Sequence, residues 1–106
     1  MLFLFKGETK GTAPMPPDQF MELAVKQVET LSSFQKRGKI LAGGIAAGRR
    51  GSSAIWNVDS IEELQSLLTQ LPMFPFTEAE VIPLLNYDKA LENAKHVLAS
   101  LKAARK

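Results

Sequence analysis

The stretch Gly51–Leu85, GSSAIWNVDSIEELQSLLTQLPMFPFTEAEVIPLL, reads without interruption as strand, capped helix, proline-braced corner and strand. Ser52–Asp59 alternates, with Ala54, Trp56 and Val58 on one face and Ser53, Ile55 and Asn57 on the other, the period of two that marks a strand with one apolar side. Ser60 then opens a helix. Ser60-Ile61-Glu62-Glu63 has capping-box spacing, in which the Ser hydroxyl accepts from the third backbone N–H and Glu63 reaches back. Ile61, Leu64, Leu67, Leu68 and Leu71 recur at helical period and supply its buried stripe. Pro72 and Pro75 forbid its continuation and leave Met73, Phe74 and Phe76 in a rigid apolar corner. Thr77–Leu85 resumes as a strand, and Pro83, which cannot donate to a ladder, places that strand or its end at a sheet edge.

Toward the amino terminus, Met1–Lys6 is a short apolar run suited to a strand buried on both faces, and Gly7–Pro17, rich in Gly, Thr and Pro, is a loop. From Pro17 the period becomes helical: Phe20, Leu23, Ala24, Val28, Leu31 and Phe34 share one face, with Glu22, Lys26 and Glu29 opposite. Pro17 and Asp18 open this helix and Gly38 ends it. Lys39–Gly48 is too short and Gly-rich for a helix and reads as a strand, with Gly43 and Gly44 marking a bulge, a bend or a close backbone approach. Beyond the central stretch, Asp88 caps a third helix to about Ala104, with Leu91, Ala94, Val97, Leu98 and Leu101 on one side.

The order β-α-β-β-α-β plus a final helix predicts an α+β fold of ferredoxin-like topology, an antiparallel sheet with two helices on one face. Leu2, Leu4, Ile55 and Ile82 then leave a second apolar face that a lone chain would expose, which predicts a homodimer through facing sheets, with higher assembly open. The 106 residues are read as one domain, 1–106, with 88–104 as a helical extension. The chain has no Cys, so thiol nucleophiles, thiolate metal sites and disulfides are excluded. Four apolar residues between Met1 and Lys6 are fewer than a secretory signal needs, and Ile40–Gly48 is far short of a membrane span. A soluble cytoplasmic protein is the expectation. The net charge of +2 comes from clusters at Lys36, Arg37 and Lys39, at Arg49 and Arg50, and at Lys102, Arg105 and Lys106. They lack the interleaved aromatics of a nucleic-acid module and read as solvated turns and a basic helix end.

On the opening MLF, Gly38-Lys39, Gly48-Arg49, Val58, Ser60, Glu63-Leu64, Leu71-Pro72, Phe74-Pro75, Glu80-Val81 and Pro83-Leu84, the chain resembles the muconolactone delta-isomerase family without gaps from Met1 to about Leu85. The resemblance implies a dimeric α/β barrel and a cofactor-free isomerase that moves a double bond within a lactone by taking a proton from one carbon and returning it to another. Such chemistry needs a base of suitable pKa, a positive partner for the enolate-like charge and a dry pocket. Glu80 shares a strand side with Ile82 and is the candidate base. Lys6, Lys39 and Arg49, at strand ends, and Asn57 are candidate substrate contacts. No metal or cofactor is expected. The ligand class implied is a small, anionic, partly apolar organic molecule.

The family pattern carries polar side chains where this chain has Leu4, Ala42 and Ile45. Its single histidine, His96, falls with Glu92 and Lys95 on the polar side of the last helix, which argues against a heme ligand there. Glu22 matches a family glutamate, but its spacing from Lys26 fits a surface ion pair. A ligand-binding or assembly module of the same fold without catalysis is the alternative reading. The small residues Gly43, Gly44, Ala46 and Ala47 fit either a pocket or tight helix packing.

Overall fold

The computed structural model describes residues 1–11 and 15–105, so part of the expected Gly7–Pro17 loop and Lys106 lie outside the described residues. Its elements follow the expected order: β1 (Leu2–Thr9), α1 (Pro17–Lys36), β2 (Ile40–Ile45), β3 (Gly51–Asn57), α2 (Ile61–Leu68), a 3-10 turn (Phe74–Phe76), β4 (Thr77–Leu84) and α3 (Tyr87–Ala104). The strands form one antiparallel sheet in the order β2-β3-β1-β4, the ferredoxin-like arrangement. Pro83 lies on the outer strand, opposite Phe3, as its missing N–H requires.

Local chemistry accounts for the boundaries. Gly38 sits at φ +79°, its N–H donates to the Gln35 carbonyl at 3.1 Å, and the Lys39 N–H donates to the Phe34 carbonyl at 2.9 Å. That is a Schellman stop, and it turns the chain directly into β2. At α2 the Ser60 hydroxyl accepts from the Glu63 N–H at 3.1 Å. Glu63 does not close the box on Ser60; one of its oxygens accepts from the Asp59 N–H at 3.2 Å and the other holds the Lys39 ammonium. The loop Leu71–Phe76 is fixed by Gln27, whose Oε1 accepts from the Met73 N–H at 3.0 Å.

Several features differ from the sequence reading, among them the end of β2, which stops at Ile45 rather than running to Gly48. β1 runs on to Thr9, because Gly7 and Glu8 find strand partners on both sides, in Ser52 and Gly51 and in Ala79 and Glu78. The irregularity in β2 falls between Ile40 and Ala42, not at the glycine pair. α3 is capped by Asn86, whose Oδ1 accepts from the Lys89 N–H at 2.9 Å, so Asp88 lies inside the first turn.

The core lies between the helices and one sheet face. Phe3 and Phe5 from β1, Ala54 and Trp56 from β3, Phe34 from α1 and Leu64, Leu67, Leu68 and Leu71 around α2 are buried there. Phe34 and Trp56 pack with ring centroids 5.6 Å apart at 57°, a tilted aromatic pair. β1 is therefore covered on one face rather than both: Leu2 and Leu4 are half-buried and Lys6 is exposed on the other.

Candidate functional site

The uncovered sheet face is ordered by register into rows. Gly44, Ser53, Lys6 and Glu80 are successive cross-strand partners, as are Ala42, Ile55, Leu4 and Ile82 in the next row. Directly opposed side chains in an antiparallel sheet have Cβ atoms about 5 Å apart, so Lys6 and Glu80 stand side by side. Among the described residues no ion pair within 4 Å engages either of them.

Around them is a hollow of about 390 Å³ that also takes in Glu8, Arg49, Ser53 and Glu78. Arg49 Nη2 lies 3.1 Å from Glu8 Oε1, and Lys10 approaches Glu8 at 3.5 Å and Glu78 at 3.8 Å. The hydrogen bond from Arg49, with the nearby Lys10 charge, holds the Glu8 carboxyl below its ordinary value. Of the residues singled out from sequence, Lys6, Arg49 and Glu80 thus meet in one place.

The other two do not join them. Lys39 is bound to Glu63, whose carboxyl is lowered first by that hydrogen bond and then by the Asp59 N–H. Asn57 lies on the same sheet face but four residues along β3 from Ser53, about 13 Å at a strand's rise. His96 and Glu22 are exposed on α3 and α1, and the Glu22–Lys26 spacing forms no ion pair within 4 Å.

A second opening lies on the helix side of the sheet. It is an apolar cleft of about 190 Å³ between α1 and β1, walled by Phe5, Phe20, Val28, Ile45, Met73 and Phe74. Arg49 and Arg50 stand at its rim; the Arg50 guanidinium lies 5.9 Å from the Phe20 ring centre and donates to the Gly11 carbonyl at 3.4 Å. Among the described residues, no Asp, Glu or His lines it. Beside it a slot of about 140 Å³ runs between α1 and β2 over Trp56. The Trp56 indole N–H is buried and, among the described residues, has no hydrogen-bond partner.

Gly43 and Gly44 both edge this slot, yet their Cβ positions point to opposite sheet faces. Gly43 opposes Ala54 at close range, whereas Gly44 pairs with Ser53 on the open side and has nothing within 4 Å of a Cβ position. The sequence reading missed Arg50, Phe20 and the Trp56 N–H as parts of a cavity. Arg50 was legible as a cation beside Arg49, but its placement over a ring thirty residues earlier was not. Among the described residues, no group of three His, Asp or Glu side chains is placed to hold a metal ion, and no helix is long and apolar enough to cross a membrane.

Residues 1–90 match the sequence profile of muconolactone delta-isomerase. The muconolactone delta-isomerase of Pseudomonas aeruginosa is 28% identical over 86% of this chain and 95% of that protein. The crystal structure of a muconolactone isomerase superposes with a TM-score of 0.74 at 30% identity, covering 82% of this chain and 91% of the other. A 5-chloro-2-hydroxyhydroquinone dehydrochlorinase from Burkholderia phenoliruptrix shares the fold with a TM-score of 0.62 at 20% identity, over 83% and 97% of the two chains. Sequence, strand order and superposition agree, and the chain belongs to the muconolactone delta-isomerase family.

Proposed function

We propose that this protein is a cofactor-free isomerase that moves a proton on a small, anionic, lactone-like compound, with the reaction at the Lys6–Glu80 row of the uncovered sheet face. The observation that carries the reading is that row: a carboxylate and an ammonium side by side, neither held in an ion pair among the described residues, inside a hollow with Arg49 at its rim. A carbon next to a lactone carbonyl loses its proton to Glu80, the enolate oxygen takes its charge beside the Lys6 ammonium, and the proton returns at the far carbon of the conjugated system. Atoms balance, and the double bond has moved. Arg49 offers the planar fork that suits a substrate carboxylate, in exchange for Glu8.

The adjacent row of Ala42, Ile55, Leu4 and Ile82 gives the ligand an apolar wall. The same wall argues for a homodimer through facing sheets, since a lone chain would leave it wet. Closure by a second sheet would also exclude water from the Lys6–Glu80 row, giving the dry surroundings that a proton transfer needs. Lys39, engaged by Glu63, and Asn57, about 13 Å away along β3, stand outside this centre.

Glu80→Gln tests the reading: turnover across a panel of carboxylated lactones is expected to vanish while light scattering gives an unchanged mass. Unchanged turnover sinks it. A second reading, a ligand-binding module without catalysis, draws on the cleft under α1, which has cations at its rim and, among the described residues, no carboxylate or imidazole inside. On that reading aromatic carboxylates bind equally to the wild type and Glu80→Gln, and Arg50→Gln with Phe20→Ala abolishes binding.

A further inference from the structure

α3 is the part of the chain that the family resemblance does not explain, because the profile match ends at residue 90 and the helix runs from Tyr87 to Ala104. It buries none of its residues. The molecule is 69 Å in its longest extent with a radius of gyration of 18.5 Å, against about 13 Å for a compact chain of this length. Eighteen helical residues, about 27 Å of rod, account for the excess.

The exposed stripe on this rod has a definite pattern. Tyr87, Leu91, Ala94, Leu98 and Leu101 follow one another at spacings of four, three, four and three, the seam of a coiled coil rather than the broader face of a helix lying on a sheet. Leu91, Leu98 and Leu101 are all more than half exposed, and Tyr87 almost wholly so. One flank of the seam carries Asp88, Lys95 and Lys102; the other carries only Ala90, Val97 and Ala104.

We propose that α3 is a self-association helix, which pairs antiparallel with α3 of a second copy of this chain. Antiparallel pairing sets Leu91 against Leu101 of the partner and Ala94 against Leu98 of the partner, so that large opposes small through the middle of the seam. Asp88 near the start of one helix then meets Lys102 near the end of the other, twice by symmetry, and the helix dipoles oppose head to tail. The small flank, Ala90, Val97 and Ala104, lets the two backbones approach. A parallel pair would lose the Asp88–Lys102 contacts and set Ala94 against Ala94, leaving a gap. The Lys95 ammonium meets its own copy at the dyad, and Glu92, one turn away on the same helix, lies within reach of it. Two heptads are short for a free coiled coil, so the contact adds to an association of the body rather than replacing it.

The chain contains no Cys, which makes the test clean. Leu91→Cys and Leu101→Cys chains, one of them tagged, are mixed at low concentration, equilibrated and oxidised gently. A disulfide-linked heterodimer is expected from the mixture and no linked homodimer from either chain alone. The heterodimer is expected to be lost when both chains also carry Leu98→Glu, a change on the exposed seam of a helix that buries none of its residues. Homodimer from Leu91→Cys alone overturns the antiparallel pair. Absence of any linked species overturns self-association through α3.

Discussion

Gly43 and Gly44 are adjacent on the same outer strand, yet adding one methyl group should move stability in opposite directions. Neither residue has a positive φ, so the backbone accepts Ala at both. A Cβ at Gly43 would lie 2.7 Å from the Ser53 carbonyl oxygen, 2.8 Å from Ala54 Cβ and 2.9 Å from Ala54 Cα. These atoms belong to β3, an interior strand, and no rotamer change moves them away. At Gly44 no atom lies within 4 Å of the Cβ position.

Ala in place of Gly removes freedom from the unfolded chain and stabilises by about 0.4–1 kcal/mol at either site. Overpacking at Gly43 costs about 1–3 kcal/mol, since either β2 must lift off β3 or the pairing must distort. The net expectation is a gain of about 0.5–1 kcal/mol for Gly44→Ala and a loss of about 1–2 kcal/mol for Gly43→Ala. With a urea slope of about 1–3 kcal/mol per molar, the two midpoints should differ by about 1 M. Urea melts of both variants against the wild type, run at several protein concentrations to separate folding from assembly, read this directly. Equal shifts, or a Gly43→Ala protein more stable than Gly44→Ala, would refute the assignment of the two glycines to different sheet faces.

Three further outcomes follow from the same geometry. Ser60→Ala removes the side-chain acceptor of the Glu63 N–H and should lower stability by about 1 kcal/mol, whereas Ser60→Asp should hold it, as measured by thermal melts. The Glu63 carboxyl is held below its ordinary value in the folded chain, so its contribution is present above the unfolded value and is lost as pH falls through the folded one. Unfolding midpoints should therefore fall as the pH drops below about 4.5, and Glu63→Gln should flatten that slope; an unchanged slope would remove Glu63 as its source. Arg49→Gln frees Glu8 from its strongest partner and should raise the Glu8 pKa toward the ordinary value, which carboxyl titration by NMR would register.

Sequence reasoning worked where the deciding physics is local. Leu64, Leu67 and Leu68 of α2, its Ser60 cap, the Gly38 stop and the edge position of Pro83 each depend on residues a few places apart, and each stands in the structure where it was read, although Ile61, read into the same stripe, is exposed and Leu71 is buried just beyond the helix end. It worked less well where a partner was distant in sequence. Gly7–Thr9 looks like loop by composition and becomes strand because β3 and β4 flank it. The capping box is redirected because Lys39, twenty-four residues earlier, takes one oxygen of Glu63.

By itself, the sequence determined the order of elements, the ferredoxin-like topology that this order implies, and the family resemblance, because hydrophobic period, caps and prolines act within a turn or a strand. Which candidates share a site was decided only by tertiary structure. Strand register sets Lys6 beside Glu80 and carries Asn57 away, the turn between β2 and β3 adds Arg49 to the same hollow, and Glu63 engages Lys39 elsewhere. Register pairs residues more than seventy positions apart, as with Lys6 and Glu80, and no local period encodes which side chains then become neighbours.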